Sequence, residues 1–283
     1  MTLHTIPVLS RFERFRDLHE GFFVIPTIWD SLSAIAAEDA GFEAIATSSA
    51  ALGYANGILS SERAPFDLVT SRLRTIAEAV RIPVSVDLED GYPEVTGDIT
   101  DSIRRIIDTG VVAANIEDSP GSHAVPLVAA EDHARAIARA RQAAEQAGAG
   151  FFINARTDVF LLDDGLPDSK SIAEAVRRAN LYLEAGANGV YVAAKNLSDD
   201  QVAALGQGIR GPLTLLAAPE GRSFGHWRKL GVNRISLGTL VIRNVYAAIQ
   251  TQLAELRDSG TVLPFPPVDI DAVLRRGRTQ FAG

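Results

Sequence analysis

The chain contains no cysteine, and that one absence removes disulfides, thiolate nucleophiles and sulfur-ligated zinc together. It also fits a reducing compartment. No apolar stretch reaches the roughly 20 residues that a membrane-spanning helix needs. The N-terminal MTLHTIPVLSRFERFRDLHE carries charges where a signal peptide has its apolar centre. The expected location is the cytoplasm, with no membrane partner. An excess of basic residues is lacking as well: 27 Lys and Arg stand against 35 Asp and Glu, a net charge of −8. Such a mean field repels phosphates, so nucleic acid is not an expected partner. The G-x-G-x-x-G fingerprint is absent after the first apolar run, and GYANG around Gly53 and Gly57 matches no phosphate loop. Ser48 and Ser49 have no His or acid in suitable sequence context, which leaves a serine-hydrolase triad unsupported.

What is present is an ordinary globular composition, 47% hydrophobic and 22% charged, on 283 residues, enough to bury a large core. Short apolar runs rich in Val and Ile alternate with longer amphipathic stretches. The expected strands are 22–25, 44–47, 83–86, 111–116, 150–154, 189–192, 213–216 and 234–237. They are apolar on both faces, as strands of a covered parallel sheet must be. Several helical stretches end in glycine (Gly41, Gly110, Gly148, Gly186, Gly231) just before the next strand, where a left-handed cap is expected. Parallel pairing needs crossovers of about a dozen residues, and eight such units close most economically as a (β/α)₈ barrel, typically about 250 residues. An open doubly wound sheet is the competitor, but polar clusters recur after many strands rather than at one switch point. We therefore expect one α/β barrel domain over 1–283, with 240–283 as a C-terminal helical extension. That tail has no strand to return to, so it should lie on the surface or on another subunit.

The polar clusters follow directly on the apolar runs: Trp29-Asp30, Ser48-Ser49, Asp87-Leu-Glu89-Asp90-Gly91, Glu117-Asp118, Asn154-Ala-Arg156-Thr-Asp158, Lys195-Asn196 and Pro219-Glu220. In a barrel these exits share the C-terminal rim, where catalytic residues collect. Clustered carboxylates repel one another unless a cation lies between them, and oxygen ligands of this kind suit Mg²⁺ or Mn²⁺. Asp87 and Glu89, two apart on a chain leaving a strand, should point to the same side. The plainer reading of a carboxylate in such a place is a helix cap or a solvated group. Arg156 offers a forked donor to a substrate carboxylate or phosphonate, or else an internal ion pair with Asp158 or Glu117. The helix after Glu117 should begin only near Ala129, which leaves a long loop carrying Pro120, Gly121 and His123 that reads as a lid. His123 could donate to substrate when it closes, though a lone loop histidine is more often merely exposed.

In order and spacing, PTIWDSLSAIAAEDAGFEAIATSSA, PVSVDLEDGYP, NIEDS, INARTDVFL, RANLYLEAGANGVYV and LGVNRISLG resemble the isocitrate lyase / phosphoenolpyruvate mutase superfamily, over residues 22–246. The resemblance implies a (β/α)₈ barrel with its terminal helix exchanged between subunits, usually in a homotetramer built as a dimer of dimers. It implies Mg²⁺ (Mn²⁺ as a substitute) held by Asp87, with Glu89 and Glu117 acting through water. It further implies a small α-keto or α-hydroxy carboxylate substrate whose C–C or P–C bond breaks through an enolate of pyruvate. Arg156 would grip the substrate carboxylate and Ser48 and Ser49 would position the enolate oxygens. Trp29, Asp30, Asp87 and Asn154 complete the expected substrate contacts.

Two departures qualify the resemblance. Superfamily members that cleave isocitrate or methylisocitrate carry a Lys-(Lys/Arg)-Cys-Gly-His lid with a Cys acid/base, whereas this loop reads Ser119-Pro-Gly-Ser-His123-Ala. Asn56 stands where many relatives have an active-site Asp, so it can orient a ligand but not act as a base. The leading expectation is a Mg²⁺-dependent C–C lyase or decarboxylase. The alternatives are phosphonate P–C chemistry, as in phosphoenolpyruvate mutase or phosphonopyruvate hydrolase, and a keto-acid-binding barrel with little turnover.

Overall fold

The computed structural model describes residues 8–120, 126–161, 168–217, 221–262 and 268–278. Among these lie nine parallel strands: β1 (Phe23–Ile25), β2 (Thr27–Ile28), β3 (Ile45–Thr47), β4 (Val84–Asp87), β5 (Ala113–Glu117), β6 (Phe152–Thr157), β7 (Gly189–Val192), β8 (Leu213–Leu216) and β9 (Arg234–Ser236). All eight expected strands are found. The extra one arises because the first runs further than its apolar residues suggest and is split by Pro26. Proline has no N–H for a ladder bond, but its carbonyl still accepts from Ala46 at 2.9 Å. One half, β1, pairs with β9 through Phe23↔Arg234, and the other, β2, pairs with β3 through Thr27↔Ala46. The sheet thus curls into a nearly closed (β/α)₈ barrel.

The helices follow in chain order: α1 (Val8–Leu18), α2 (Ser31–Asp39), α3 (Ser49–Ala55), α4 (Phe66–Ala79), α5 (Pro93–Thr96), α6 (Ile99–Ile107), α7 (Ala130–Gln146), α8 (Ser169–Glu184), α9 (Asp199–Gly208), α10 (Phe224–Lys229), α11 (Leu240–Ser259) and α12 (Ile270–Arg278). Gly41, Gly110, Gly148, Gly186 and Gly231 all take positive φ, between 64° and 104°. A side chain would be strained there, which is why glycine marks each return to the barrel.

Alternate strand residues face opposite sides. Ile45, Val84, Val86, Ala114, Ile116, Ile153 and Ala155 pack outward under α2, α4, α6 and α7, while Val190, Val192, Leu213, Leu215 and Ile235 join a second outer cluster with residues of α8 and α9. Inward, Phe23, Ala113 and Phe152 meet Phe15 of α1, whose ring lies edge-on to Phe152 at 5.3 Å. This closes the N-terminal end with apolar side chains. Above them the interior turns polar, with Ser85, Asn115, Asn154, Thr214 and Arg234 all buried. The C-terminal end is therefore the one free to carry chemistry.

Val273 and Leu274 of α12 pack back on the core beside α2 and α4. By contrast α11 buries no residue, although Tyr246, Ile249 and Leu253 line one side of it. No helix among the described residues is long and apolar enough to cross a membrane.

Candidate active site

At the C-terminal end of the strands a cavity of about 390 Å³ opens, lined by Thr47, Asp87, Asn115, Arg156, Tyr191 and Ser236 from six different strands. Ser48, Ser49 and Lys195 complete its rim. The sequence expectation of one shared rim holds for Ser48, Ser49, Asp87 and Arg156, which all line this space.

Asp87 closes β4 and is gripped on one side only. Its Oδ2 accepts from the Ser49 hydroxyl at 2.8 Å and from the Ser49 N–H at 3.1 Å, at the start of α3, where the helix dipole favours negative charge. Ser48 is the N-cap of that helix, its Oγ accepting from the Ala51 N–H. Asp87 Oδ1 is buried with no hydrogen-bond partner among the described residues and lies 3.6 Å from Arg156 Nη1.

Arg156 reaches into the cavity from β6. Asp158 holds it in a fork through Nε at 2.6 Å and Nη2 at 3.0 Å, and Nη1 lies 2.8 Å from Glu117 Oε2. The internal ion pair is therefore present, and it does not use up the guanidinium, which has five N–H groups of which Asp158 takes two. Burial alone would lower the Arg156 pKa, but Asp158, Glu117 and Asp87 together hold it well above the ordinary value. Burial drives the Glu117 carboxyl well above its usual range against the pull of Arg156. Ser119 ties the cluster together, donating its hydroxyl to Asp158 at 2.6 Å, with Glu117 as its other acceptor at 3.1 Å.

Glu89 does not join Asp87 at the cavity. Strand geometry ends at Asp87, and Glu89 has φ 52°, so the alternation that would place the two on one side no longer applies. Its Oε1 accepts from the Tyr92 hydroxyl at 2.8 Å, and its Oε2 lies 3.3 Å from Arg63 Nε. Arg63 also pairs with Asp90 and Glu94 and stacks 3.9 Å above the Tyr92 ring. Burial pushes the Glu89 carboxyl up to about 7, with Arg63 and Tyr92 opposing it.

Four other expected residues also lie elsewhere. Asp30 forms a capping box with Ser33 at the start of α2, and the Trp29 N–H donates to the same serine hydroxyl. Asn56 ends α3, donating to the Leu52 carbonyl and accepting from Arg72. Asn154 is wholly buried below the cavity and donates to Asn115 Oδ1 at 2.9 Å. His123, Pro219 and Glu220 fall outside the described residues. The neck of the loop carrying His123 is nonetheless visible, since the Val128 N–H donates to the Asp118 carbonyl at 2.9 Å.

Lys195, one of the polar exits expected on this rim, does line the cavity. Sequence reasoning gave no role to Asn115 or Tyr191, although a signal existed for both: Asn115 is a polar residue inside the apolar run VVAANI, and Tyr191 has an inward position in GVYV. A divalent cation suits this site through Asp87, whose Oδ1 lacks a partner. Among the described residues no three His, Cys, Asp or Glu side chains converge as a ligand set. Most of the coordination would fall to water and substrate oxygens, which is common for Mg²⁺.

A family profile described as phosphoenolpyruvate phosphomutase matches residues 15–257. The chain belongs to the phosphoenolpyruvate mutase family. An uncharacterized protein of Mycobacterium tuberculosis is 33% identical over 228 residues, 80% of this chain and 82% of that protein. A candidate phosphonomutase from Burkholderia cenocepacia is 33% identical with a TM-score of 0.81, covering 90% of this chain and all of that one. The 2-methylisocitrate lyase of Halalkalibacterium halodurans is 25% identical over 88% of this chain and 83% of its own length. The phosphoenolpyruvate mutase family thus joins this chain to lyases and mutases of the wider isocitrate lyase superfamily, in line with the motif resemblance.

Proposed function

We propose that this family member is a divalent-cation-dependent lyase or decarboxylase that breaks the C–C bond at C3 of a small α-keto or α-hydroxy dicarboxylate or tricarboxylate, through a pyruvate-type enolate. The observation that carries the reading is the juxtaposition of a half-satisfied Asp87 with Arg156 at one cavity wall. Arg156 binds the substrate's C1 carboxylate with donors that Asp158 does not take. The Ser48 hydroxyl, whose proton is not committed to its cap bond, orients the oxygen next to it, while Ser49 holds Asp87 in place. Tyr191, whose pKa burial raises to about 12, keeps its proton and serves as a donor. A cation held by Asp87, Mg²⁺ or Mn²⁺, would supply Lewis-acid stabilisation of the charge that develops on the enolate oxygen.

Lys195 supports a second carboxylate on the substrate. It lies just beyond β7 on the cavity rim, where its ammonium is exposed and can reach a bound anion.

The test is a panel of oxaloacetate, substituted malates and citrates with Mg²⁺. Pyruvate or its homologue should be released, and Asp87→Ala should abolish the release. No product from any member of the panel would sink the proposal. The likeness to a candidate phosphonomutase favours a second reading, P–C bond chemistry, because Arg156 and Lys195 also suit a phosphonate. Phosphorus NMR with phosphonopyruvate separates the two.

The same proposal includes self-assembly as a homotetramer in which α11 docks on a neighbouring copy. Tyr246, Ile249 and Leu253, all about half exposed or more, form an apolar stripe at helical spacing, which monomeric proteins rarely leave open.

A further inference from the structure

Beneath the cavity the barrel interior holds a whole guanidinium. Arg234, the first residue of β9, is entirely buried, and among the described residues no carboxylate forms a salt bridge with it. Its hydrogen bond runs from Nη2 to Asn115 Oδ1 at 3.2 Å, while Nε and Nη1 have no partner among the described residues. An unpaired cation is a costly thing to bury, so what it does to Asn115 matters.

An arginine can only donate. The Asn115 atom facing it must therefore be the oxygen, which fixes an amide orientation that is often ambiguous. Asn154 Nδ2 donates to the same oxygen at 2.9 Å. With both lone pairs of Oδ1 engaged, Nδ2 is turned the other way. Asn115 lines the cavity and is the register partner of Asp87. Its Nδ2 makes no hydrogen bond with any of the described residues and, unlike Asn154 Oδ1, is not sealed from solvent. A linker with a purely structural task would satisfy both ends of its amide within the core. Here the acceptor end is satisfied twice and the donor end faces the cavity.

We infer that Asn115 is a substrate-binding residue whose Nδ2 donates to an oxyanion of the bound keto acid at the cavity floor, with Arg234 and Asn154 as the positioning residues that hold it as a donor. This rests on reading the cavity as a keto-acid site. It adds to that site an uncharged donor on the wall opposite the mouth, one that cannot be turned into an acceptor while Arg234 remains in place.

Titration calorimetry with oxalate in Mg²⁺ buffer tests it, alongside the melting temperature of each variant. Asn115→Leu should weaken oxalate binding by about 10- to 100-fold, the loss expected when a donor to a charged group is removed. Asn115→Asp keeps the shape, gives Arg234 a carboxylate to pair with and so keeps the fold. It replaces the donor by an acceptor and should lose at least as much affinity, which decides the matter if the leucine variant does not fold. Arg234→Met should cost about fivefold, since Asn154 still holds the amide, and Arg234→Lys should restore binding. Folded Asn115→Leu or Asn115→Asp protein that binds oxalate within about twofold of wild type overturns this inference and leaves the keto-acid reading standing. Wild-type protein that binds neither oxalate nor pyruvate overturns both.

Discussion

Glu117 and Asp118 are adjacent carboxylates at the exit of β5, yet their replacement should have opposite consequences. Asp118 is wholly buried and accepts three hydrogen bonds: the Asp158 N–H at 2.9 Å on Oδ1, and Arg178 Nη1 at 3.0 Å and the Tyr182 hydroxyl at 2.8 Å on Oδ2. In Asp118→Asn one of these oxygens becomes an NH₂ group. Whichever way the amide turns, it meets a buried donor and leaves it unpaired, at about 1–3 kcal/mol. The charge pairing with Arg178 is lost as well. That loss stays below the roughly 3–5 kcal/mol of a fully orphaned ion, because Arg178 keeps Glu174 at 2.8 Å and the Val128 carbonyl at 2.9 Å. A total near 3 kcal/mol should lower the melting temperature by about 6–12 °C for a chain of this size. Glu117→Gln, by contrast, removes a charge that burial already disfavours, while Arg156 keeps its fork with Asp158. Its stability should stay within about 1 kcal/mol, while turnover of the accepted substrate falls by about 10- to 100-fold, because an amide cannot replace the carboxylate that would hold the cation through water. Thermal denaturation followed by circular dichroism, with product release measured on the same samples, reads both quantities. A melting temperature for Asp118→Asn within about 2 °C of wild type, or a Glu117→Gln protein destabilised as far as Asp118→Asn, would refute the reasoning.

The remaining predictions concern other parts of the molecule. Lys195→Gln should raise KM for the accepted dicarboxylate or tricarboxylate substrate about 10-fold and leave the affinity for the monocarboxylate pyruvate unchanged; equal losses for both would remove Lys195 from substrate recognition. His19 is buried against Phe152, with ring centroids 4.1 Å apart, and its Nδ1–H donates to the Phe15 carbonyl at 2.8 Å. Burial, with Arg234 adding to it, lowers its pKa from 6.5 to about 3. A depressed folded-state pKa gives stability that is present above the unfolded value and is lost as pH falls towards the folded one. Wild type should therefore lose about 2 kcal/mol more than His19→Phe between neutral pH and about pH 5, read from denaturant midpoints; parallel curves would contradict this. Light scattering should find smaller assemblies for Tyr246→Glu combined with Leu253→Glu than for wild type, and an unchanged mass would exclude α11 from the assembly interface.

The fold was legible because each unit of the chain repeats the same instructions. A Val- and Ile-rich run can satisfy its backbone only beside another strand, an amphipathic stretch must cover it, and glycine at positive φ ends the stretch. All five glycines expected to do so take that conformation. Pro26 escaped the reading because the second half of its strand, Thr27–Ile28, is short and includes a threonine. Its pairing with β3 is set by the closure of the ring and not by any local preference.

The site was legible wherever a side chain is still governed by the strand that carries it. Asp87 and Arg156 occupy inward positions of β4 and β6, so a period of two is enough to aim them at one another; Asn115, inward on β5, follows the same rule but was passed over inside an apolar run. Beyond the last strand residue that rule loses its force, and local hydrogen bonds decide. Asp30 and Asn56 are polar residues near helix ends, and each binds the backbone or side chain it can reach soonest. Glu89 is the sharpest case. A left-handed backbone at φ 52° swings it away from Asp87, and Arg63, from the segment ahead of α4, arrives with Tyr92 to hold it there. No pattern within DLEDGYP announces Arg63, which lies 26 positions before Glu89. The two meet only because β3 and β4 are neighbours in the barrel, so the partner that decides where this carboxylate points is a product of topology, which sequence spacing does not encode.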